Sequence, residues 1–156
     1  MKKLILLAGL YCLQPNLHAA STTKHIKYDV APTSASVRAM THFKENYAWV
    51  QDAAWFNGPD NMYCIFHQGN RVNRVFYDQQ GYWQYTLISY PPDGLGKKVT
   101  ERVLGNFPGY HINYVNEIQS DSYEPVYMIS IEDENNIKVL RVTGDDIQVN
   151  QALKKS

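Results

Sequence analysis

The chain has 156 residues, 44% of them hydrophobic, with 15 basic and 15 acidic side chains and a formal net charge of zero. That is room for one domain or two very small ones. It gives no electropositive footprint for nucleic acid or for an anionic membrane surface.

The opening MKKLILLAGLYCLQPNLHAA joins a basic start, Lys2 and Lys3, to an apolar run from Leu4 to Leu13. The run is shorter than the roughly 20 residues that a bilayer-spanning helix needs. Leu17-His18-Ala19-Ala20 then offers small residues for a signal peptidase, so residues 1–20 read as a secretory signal cut near Ala19 or Ala20. The competing reading is an uncleaved anchor. Lipoprotein processing at Cys12 is excluded by the bulky Tyr11 before it. Losing Lys2 and Lys3 takes the 15 basic residues to 13 against 15 acidic, a net charge of −2. Cys12 leaves with the signal, so Cys64 stands alone and forms no intrachain disulfide. Set between Tyr63 and Ile65, it reads as a buried, inert thiol. The expectation is a periplasmic or secreted protein held together by its core, with no membrane association after cleavage.

Residues 21–31 (STTKHIKYDVA) are polar and patternless, a leader or an edge segment. Pro32-Thr33-Ser34 opens a helix with capping residues. Val37, Met40, Phe43 or Lys44, and Tyr47 give it one apolar stripe, ending near Ala48. From Trp49 the period falls to two, with Ala53, Trp55 and Asn57 on one side. Gly58-Pro59-Asp60-Asn61 is a turn. Residues 62–67 form a strand, Gln68-Gly69-Asn70 a hairpin connection, and residues 71–77 the next strand.

The stretch NRVFYDQQGYWQYTLI, residues 73–88, holds five aromatic side chains. Asp78-Gln79-Gln80-Gly81 predicts a three-residue hairpin loop closed by a left-handed glycine. That register sets Tyr77 opposite Trp83, Phe76 opposite Gln84, Val75 opposite Tyr85, Arg74 opposite Thr86 and Asn73 opposite Leu87. Opposed residues share a face. Val75, Tyr77, Trp83, Tyr85 and Leu87 are then expected inside, and Arg74, Phe76, Asp78, Tyr82, Gln84 and Thr86 outside.

Tyr90-Pro91-Pro92-Asp93-Gly94 reads as a linker, after which the organisation starts again. Leu95, Val99, Val103 and Phe107 form a helical stripe stopped by Pro108-Gly109. Extended stretches follow over 110–119, 126–131, 137–142 and 147–149, the last two joined by a two-residue loop at Gly144-Asp145. Tyr47 matches Phe107, Trp55 matches Val115, Tyr63 and Ile65 match Tyr127 and Ile129, and Val75 and Tyr77 match Leu140 and Val142. The expected fold class is α+β, two tandem units of one helix plus a four-stranded antiparallel sheet, with the helices packed on one sheet face. The units are placed at 32–90 and 91–154. The competing reading is one irregular α+β domain of seven or eight strands.

On these residues, with the Tyr77-Asp78-x-x-Gly81-x-Trp83 hairpin and Phe107-Pro108-Gly109 as the best local features, the chain resembles the exported PepSY-like family. That family is similar in fold to β-lactamase-inhibitor protein. The resemblance covers about residues 32–153. It departs after Tyr47, where Ala48-Trp49 replaces Pro-Gly. It implies two helix-on-sheet units sharing one sheet with a concave open face, export, and no catalytic activity.

His25, His42, His67 and His111 have no metal-ligand spacing. Glu132-Asp133-Glu134 lacks the spaced acids and glycine of a calcium loop and reads as a solvated turn. The serines have no nucleophile-elbow context, and no glycine-rich phosphate loop is present. No cofactor, metal site or catalytic residue is assigned. The expected function is a non-enzymatic binding module for a protein, peptide or glycan, an inhibitor or regulator of another secreted protein. Its contact residues are Arg74, Phe76, Tyr82, Gln84 and Arg141 on the outer sheet face, since Arg and aromatic residues are enriched at interfaces. The alternative is a small α+β hydrolase or isomerase with an apolar pocket.

Overall fold

The computed structural model describes residues 27–28, 33–121 and 124–155. The expected signal segment and most of the 21–31 leader lie outside the described residues. In chain order the elements are β1 (Lys27–Tyr28), α1 (Ser34–Asn46), β2 (Ala54–Asn57), β3 (Asn61–Gln68), β4 (Arg71–Asp78) and β5 (Trp83–Tyr90). A short 3-10 turn (Pro92–Gly94) leads to α2 (Lys97–Asn106), followed by β6 (His111–Gln119), β7 (Val126–Glu132), β8 (Asn136–Thr143) and β9 (Asp146–Lys154). The strands form one sheet in sequence order. The two-residue β1 lies parallel on the edge of β2, and the other eight strands are antiparallel. They fall into two halves of four, each preceded by its helix, which is the expected α+β tandem arrangement.

Helix α1 begins with a capping box. The Thr33 hydroxyl accepts from the Ser36 N–H (3.1 Å), and the Ser36 hydroxyl accepts from the Thr33 N–H (2.7 Å), so two otherwise orphaned donors are satisfied. Both helices end on an aromatic residue whose N–H bonds back one turn, Tyr47 to the Phe43 carbonyl and Phe107 to the Val103 carbonyl. The expected stripe of α1 holds at Met40, Phe43 and Tyr47, which pack on the first core, and fails at Val37, which is 58% exposed; Ser36 and Ala39 take the inner positions of the first turns. The small Ser36 and Ala39 let the helix backbone approach the strands, and Phe43 reaches Trp55 and Phe66 edge-on at 5.4 and 5.7 Å. Each helix is also tied to the closing hairpin of its own half by an arginine. Arg38 donates to the Gln80 carbonyl (2.7 Å), and Arg102 donates to the Gly144 carbonyl and pairs with Asp145 (3.0 Å).

Two cores lie under the helices. The first gathers Ala39, Phe43, Trp55, Cys64, Val75 and Tyr77. The second gathers Val103, Val115, Ile129, Leu140 and Val142, with Val99 and Phe107 packed against it. Trp55, Cys64, Val75 and Thr86 form one row across the first half, and Val115, Ile129, Leu140 and Val149 form its counterpart. Cys64 is therefore the equivalent of Ile129. The expected match of Tyr63 to Tyr127 and Ile65 to Ile129 is one residue out, and Tyr63 and Ile65 point away from the helices.

The β4–β5 hairpin keeps Tyr77 opposite Trp83, and Gly81 takes the positive φ (+86°) that closes the loop. Beyond that pair the ladder shifts by one residue. Phe76 faces Tyr85, Val75 faces Thr86 and Arg74 faces Leu87, with Gln84 left over as a β-bulge. Gln84 turns its amide to the Asp78 carboxylate (3.1 Å) instead of pairing with Phe76. Past the bulge Thr86, Ile88 and Tyr90 go inward and are buried, while Tyr85 and Leu87, expected inside, join Arg74 and Phe76 on the opposite face. The Thr86 hydroxyl is satisfied there by the Trp83 indole (3.1 Å) and the Tyr47 hydroxyl (3.0 Å). The last hairpin has the expected register, with Val142 opposite Ile147 and Leu140 opposite Val149. A further bulge at Asn150 follows before Val139 meets Gln151.

Trp55 is 2% exposed and touches Phe43 and Tyr77. Trp55→Ala is expected to lose about 3–5 kcal/mol of stability, read as a lower denaturant midpoint with an unchanged slope. Gly81→Ala is expected to destabilise as well. Its backbone sits at positive φ, and a Cβ there would run into the Ala35 carbonyl.

Candidate functional site

Both helices pack on the same side of the sheet, so among the described residues the other side is left open. Across β2 to β5 that open side carries four rings in one row: Phe56, Tyr63, Phe76 and Tyr85, each directly opposite the next. Successive ring centroids are 5.2, 5.5 and 4.6 Å apart, with planes inclined by only 19°, 29° and 25°. The neighbouring row runs Ile65, Arg74, Leu87, Ile118 and Val126. In the second half Met128, Val139 and Arg141 continue the face. All of these side chains are half-buried by one another.

Of the residues expected to make contacts, the open face holds Arg74 and Phe76 together in the first half and Arg141 in the second. Arg74 donates to the Ser89 hydroxyl (3.3 Å), which itself donates to Asn116 (2.7 Å). Gln84 sits apart at the hairpin end, bonded to Asp78. Tyr82 is 57% exposed, but its ring lies 4.4 Å from the Arg38 guanidinium, on the side of α1. The sequence reading missed Phe56, Tyr63 and Tyr85. The alternation of Phe56 with Trp55, and of Tyr63 with Cys64, carried a signal for two of them. Nothing local announces the bulge that turns Tyr85 outward.

The titratable groups with displaced pKa values have structural explanations. Burial pushes the Cys64 thiol up to about 12 and raises Tyr77 as well. Burial, then the Glu117 carboxylate that accepts the Tyr90 hydroxyl at 2.6 Å, raises Tyr90. Asp133 is lowered to about 2, first by the Asn135 N–H and also by Asn136 and Tyr110, so its carboxylate is committed to the β7–β8 turn. His42 is lowered by burial, partly opposed by Glu45; its Nδ1 lies 3.1 Å from the Tyr77 hydroxyl and its ring stacks on Trp83. Among the described residues no three potential metal ligands gather. A hollow of about 200 Å³ lies at the start of α1, lined by Thr33, Asn57, Pro59, Asn61 and Asp78. One of about 320 Å³ lies beside Pro108, Asp133 and Glu134. Neither contains a histidine.

This architecture defines a tandem helix-plus-sheet protein with one sheet face that the described residues leave uncovered. No family model and no curated protein matches the chain. Solved structures do match it. A DUF2874 family protein from Bacteroides ovatus superposes with a TM-score of 0.64 at 16% identity, over 81% of this chain and 89% of that one. A BLIP-like protein from Bacteroides fragilis gives 0.63 at 12% identity, over 80% and 87%. A protein from Bacteroides eggerthii, predicted to be periplasmic, gives 0.60 at 16% identity, over 80% and 89%. At such identities the likeness is one of fold. It reaches the BLIP-like part of the family resemblance and does not extend to PepSY by name.

Cys64 is fully buried and should resist alkylation by a maleimide in the native protein and react at once on unfolding. Rapid native labelling would show a strand that opens. His42 predicts a pH dependence with a defined sign. The unfolded chain takes up its proton near pH 6.5, whereas the folded chain resists it. Stability is therefore full above that pH and falls as pH drops below it, toward the depressed native pKa. His42→Gln should flatten this part of a Tm-against-pH profile.

Proposed function

We propose that the chain is an exported, non-enzymatic binding module, composed of units 32–90 and 91–154, whose open sheet face receives another periplasmic or secreted protein and inhibits or regulates it. The observation that carries this reading is the uncovered face itself. Eight antiparallel strands present half-buried rings and aliphatic side chains beside two arginines on a side that neither helix covers, and an apolar patch interleaved with polar groups is a feature of interaction sites. Aromatic and arginine side chains of the kind found there dominate interface energetics. The fold it shares with the BLIP-like protein supports an inhibitory role by analogy. The exported PepSY-like set is the wider group into which we place it, and the eggerthii relative supports a periplasmic address.

Two features weigh against the other readings. In the aromatic row the faces of Tyr63 and Phe76 are covered by their neighbours, so the rings offer little platform for a sugar to stack on. An enzyme would need an ionisable group poised in a closed pocket. The displaced groups here are instead core tyrosines, a core thiol, a core-packed histidine and acids engaged at the sheet margin.

Photo-crosslinking tests the reading. A benzophenone side chain at Tyr85 should capture a discrete partner in the periplasm, and the same group at Lys98, on α2, should not. The same adducts from both positions, or none from Tyr85, would remove the open face as the binding surface. Inhibition is checked separately as dose-dependent loss of peptidase or β-lactamase activity across a panel of secreted hydrolases.

A further inference from the structure

The open face carries a charge pattern that the neutral composition conceals. Away from the strand ends its ionised side chains among the described residues are Arg74 and Arg141, both cations and both half-buried. Arg74 has only a hydroxyl partner, Ser89. Arg141 lies between Met128 and Gln148 with no hydrogen-bond or ion-pair partner among the described residues. The acids at the margin are engaged elsewhere. Asp78 accepts the N–H groups of Gln80 and Tyr82, Glu132 pairs with His111 (2.9 Å) and Lys155 (3.2 Å), and Asp146 accepts from Gln148 (2.7 Å). The rings add to the same sign. Stacked on one another, Tyr63 and Phe76 turn their edges outward, and the edge is the positive end of an aromatic quadrupole.

We propose that the occupant of this face is an extended acidic protein segment, with one carboxylate seated on Arg74, a second on Arg141, and apolar side chains between them. This rests on the binding reading above and names the chemistry of the partner. Guanidiniums that lack an acidic partner on a partly apolar surface are matched by carboxylates, which accept their fork of donors bidentately. The spacing follows from the sheet. Arg74 on β4 and Arg141 on β8 are four strand steps and two residues apart, about 20 Å, which an extended chain covers in about six residues.

Random dodecapeptides displayed on phage and selected against the intact mature protein test this directly. The expected winners carry two Asp or Glu residues about six positions apart with apolar residues between them. Replacing either acid in a winning peptide by its amide should weaken binding to the unaltered protein about tenfold, and added salt should weaken it further. Arg74→Gln and Arg141→Gln, checked for unchanged melting, should each reproduce that loss. Winners that are neutral or basic, yet are displaced by substitutions in the aromatic row, would overturn the acidic partner and leave the binding face standing. Acidic winners indifferent to both arginines would overturn it too, by placing their site elsewhere. Recovery of no peptide at all would count against both the acidic partner and the open face.

Discussion

The organisation of the molecule depends on a single supernumerary residue in β5. With Gln84 set aside at the bulge, Trp83 and Thr86 both face α1, and the strand then delivers Ile88 and Tyr90 to the core beneath α2. One strand thus belongs to two cores, which makes the junction between the halves more than a backbone ladder. Its outward residues are fixed by the same shift. Tyr85 completes the aromatic row and Leu87 lies beside Arg74. Because side chains alternate strictly along a strand, a one-residue slip would exchange the two sets. It would put a threonine hydroxyl into solvent and two bulky side chains into space already filled.

The helices reinforce that division. Each is fastened to the far hairpin of its own half, α1 through Arg38 and α2 through Arg102, and each rests on residues of its own row set. Some polar groups at the edges of the cores are satisfied locally, as in the Tyr47–Thr86–Trp83 cluster and the Tyr90–Glu117 bond, whereas the buried Asn73 amide nitrogen has no partner among the described residues. Neither helix packs on the opposite face. The rings there stabilise one another instead. Stacked neighbours of this kind contribute roughly 0.5–1.5 kcal/mol per pair beyond simple burial, which lets an apolar surface stand without a third layer.

Much of this was legible in the residues. The change of period from four to two at Trp49, its recurrence after Phe107, and the turn chemistry of Gln79-Gln80-Gly81 and Gly144-Asp145 suffice to lay out two helices and eight strands. The errors have a common physical origin. A bulge conserves hydrophobicity and changes only parity, so the sequence past Gln84 scans equally well in either register. The repeat match slipped at Tyr63 for a related reason: MYCIFH and VYMISI are apolar on both sides, and either residue of each pair satisfies a pattern search. On α1 only Val37 departs from the expected stripe, because the first turns meet the sheet through the small Ser36 and Ala39, while Met40, Phe43 and Tyr47 face the core. Of the proposed contact residues, Arg74, Phe76 and Arg141 were reached by alternation alone. Tyr82 and Gln84 belong to loop geometry, which alternation does not govern.

The bulge at Asn150 has its own consequence for how copies of the molecule meet. Among the described residues strand β9 ends the sheet, and Val149 and Leu153 stand half in solvent. A straight strand with that composition would be a template for a neighbour's backbone. The extra residue in its middle interrupts the regular ladder, and a bulge of this kind blunts an edge strand against pairing with a neighbour. The terminal strand can lend Ile147 to the second core and still discourage fibre growth from its margin.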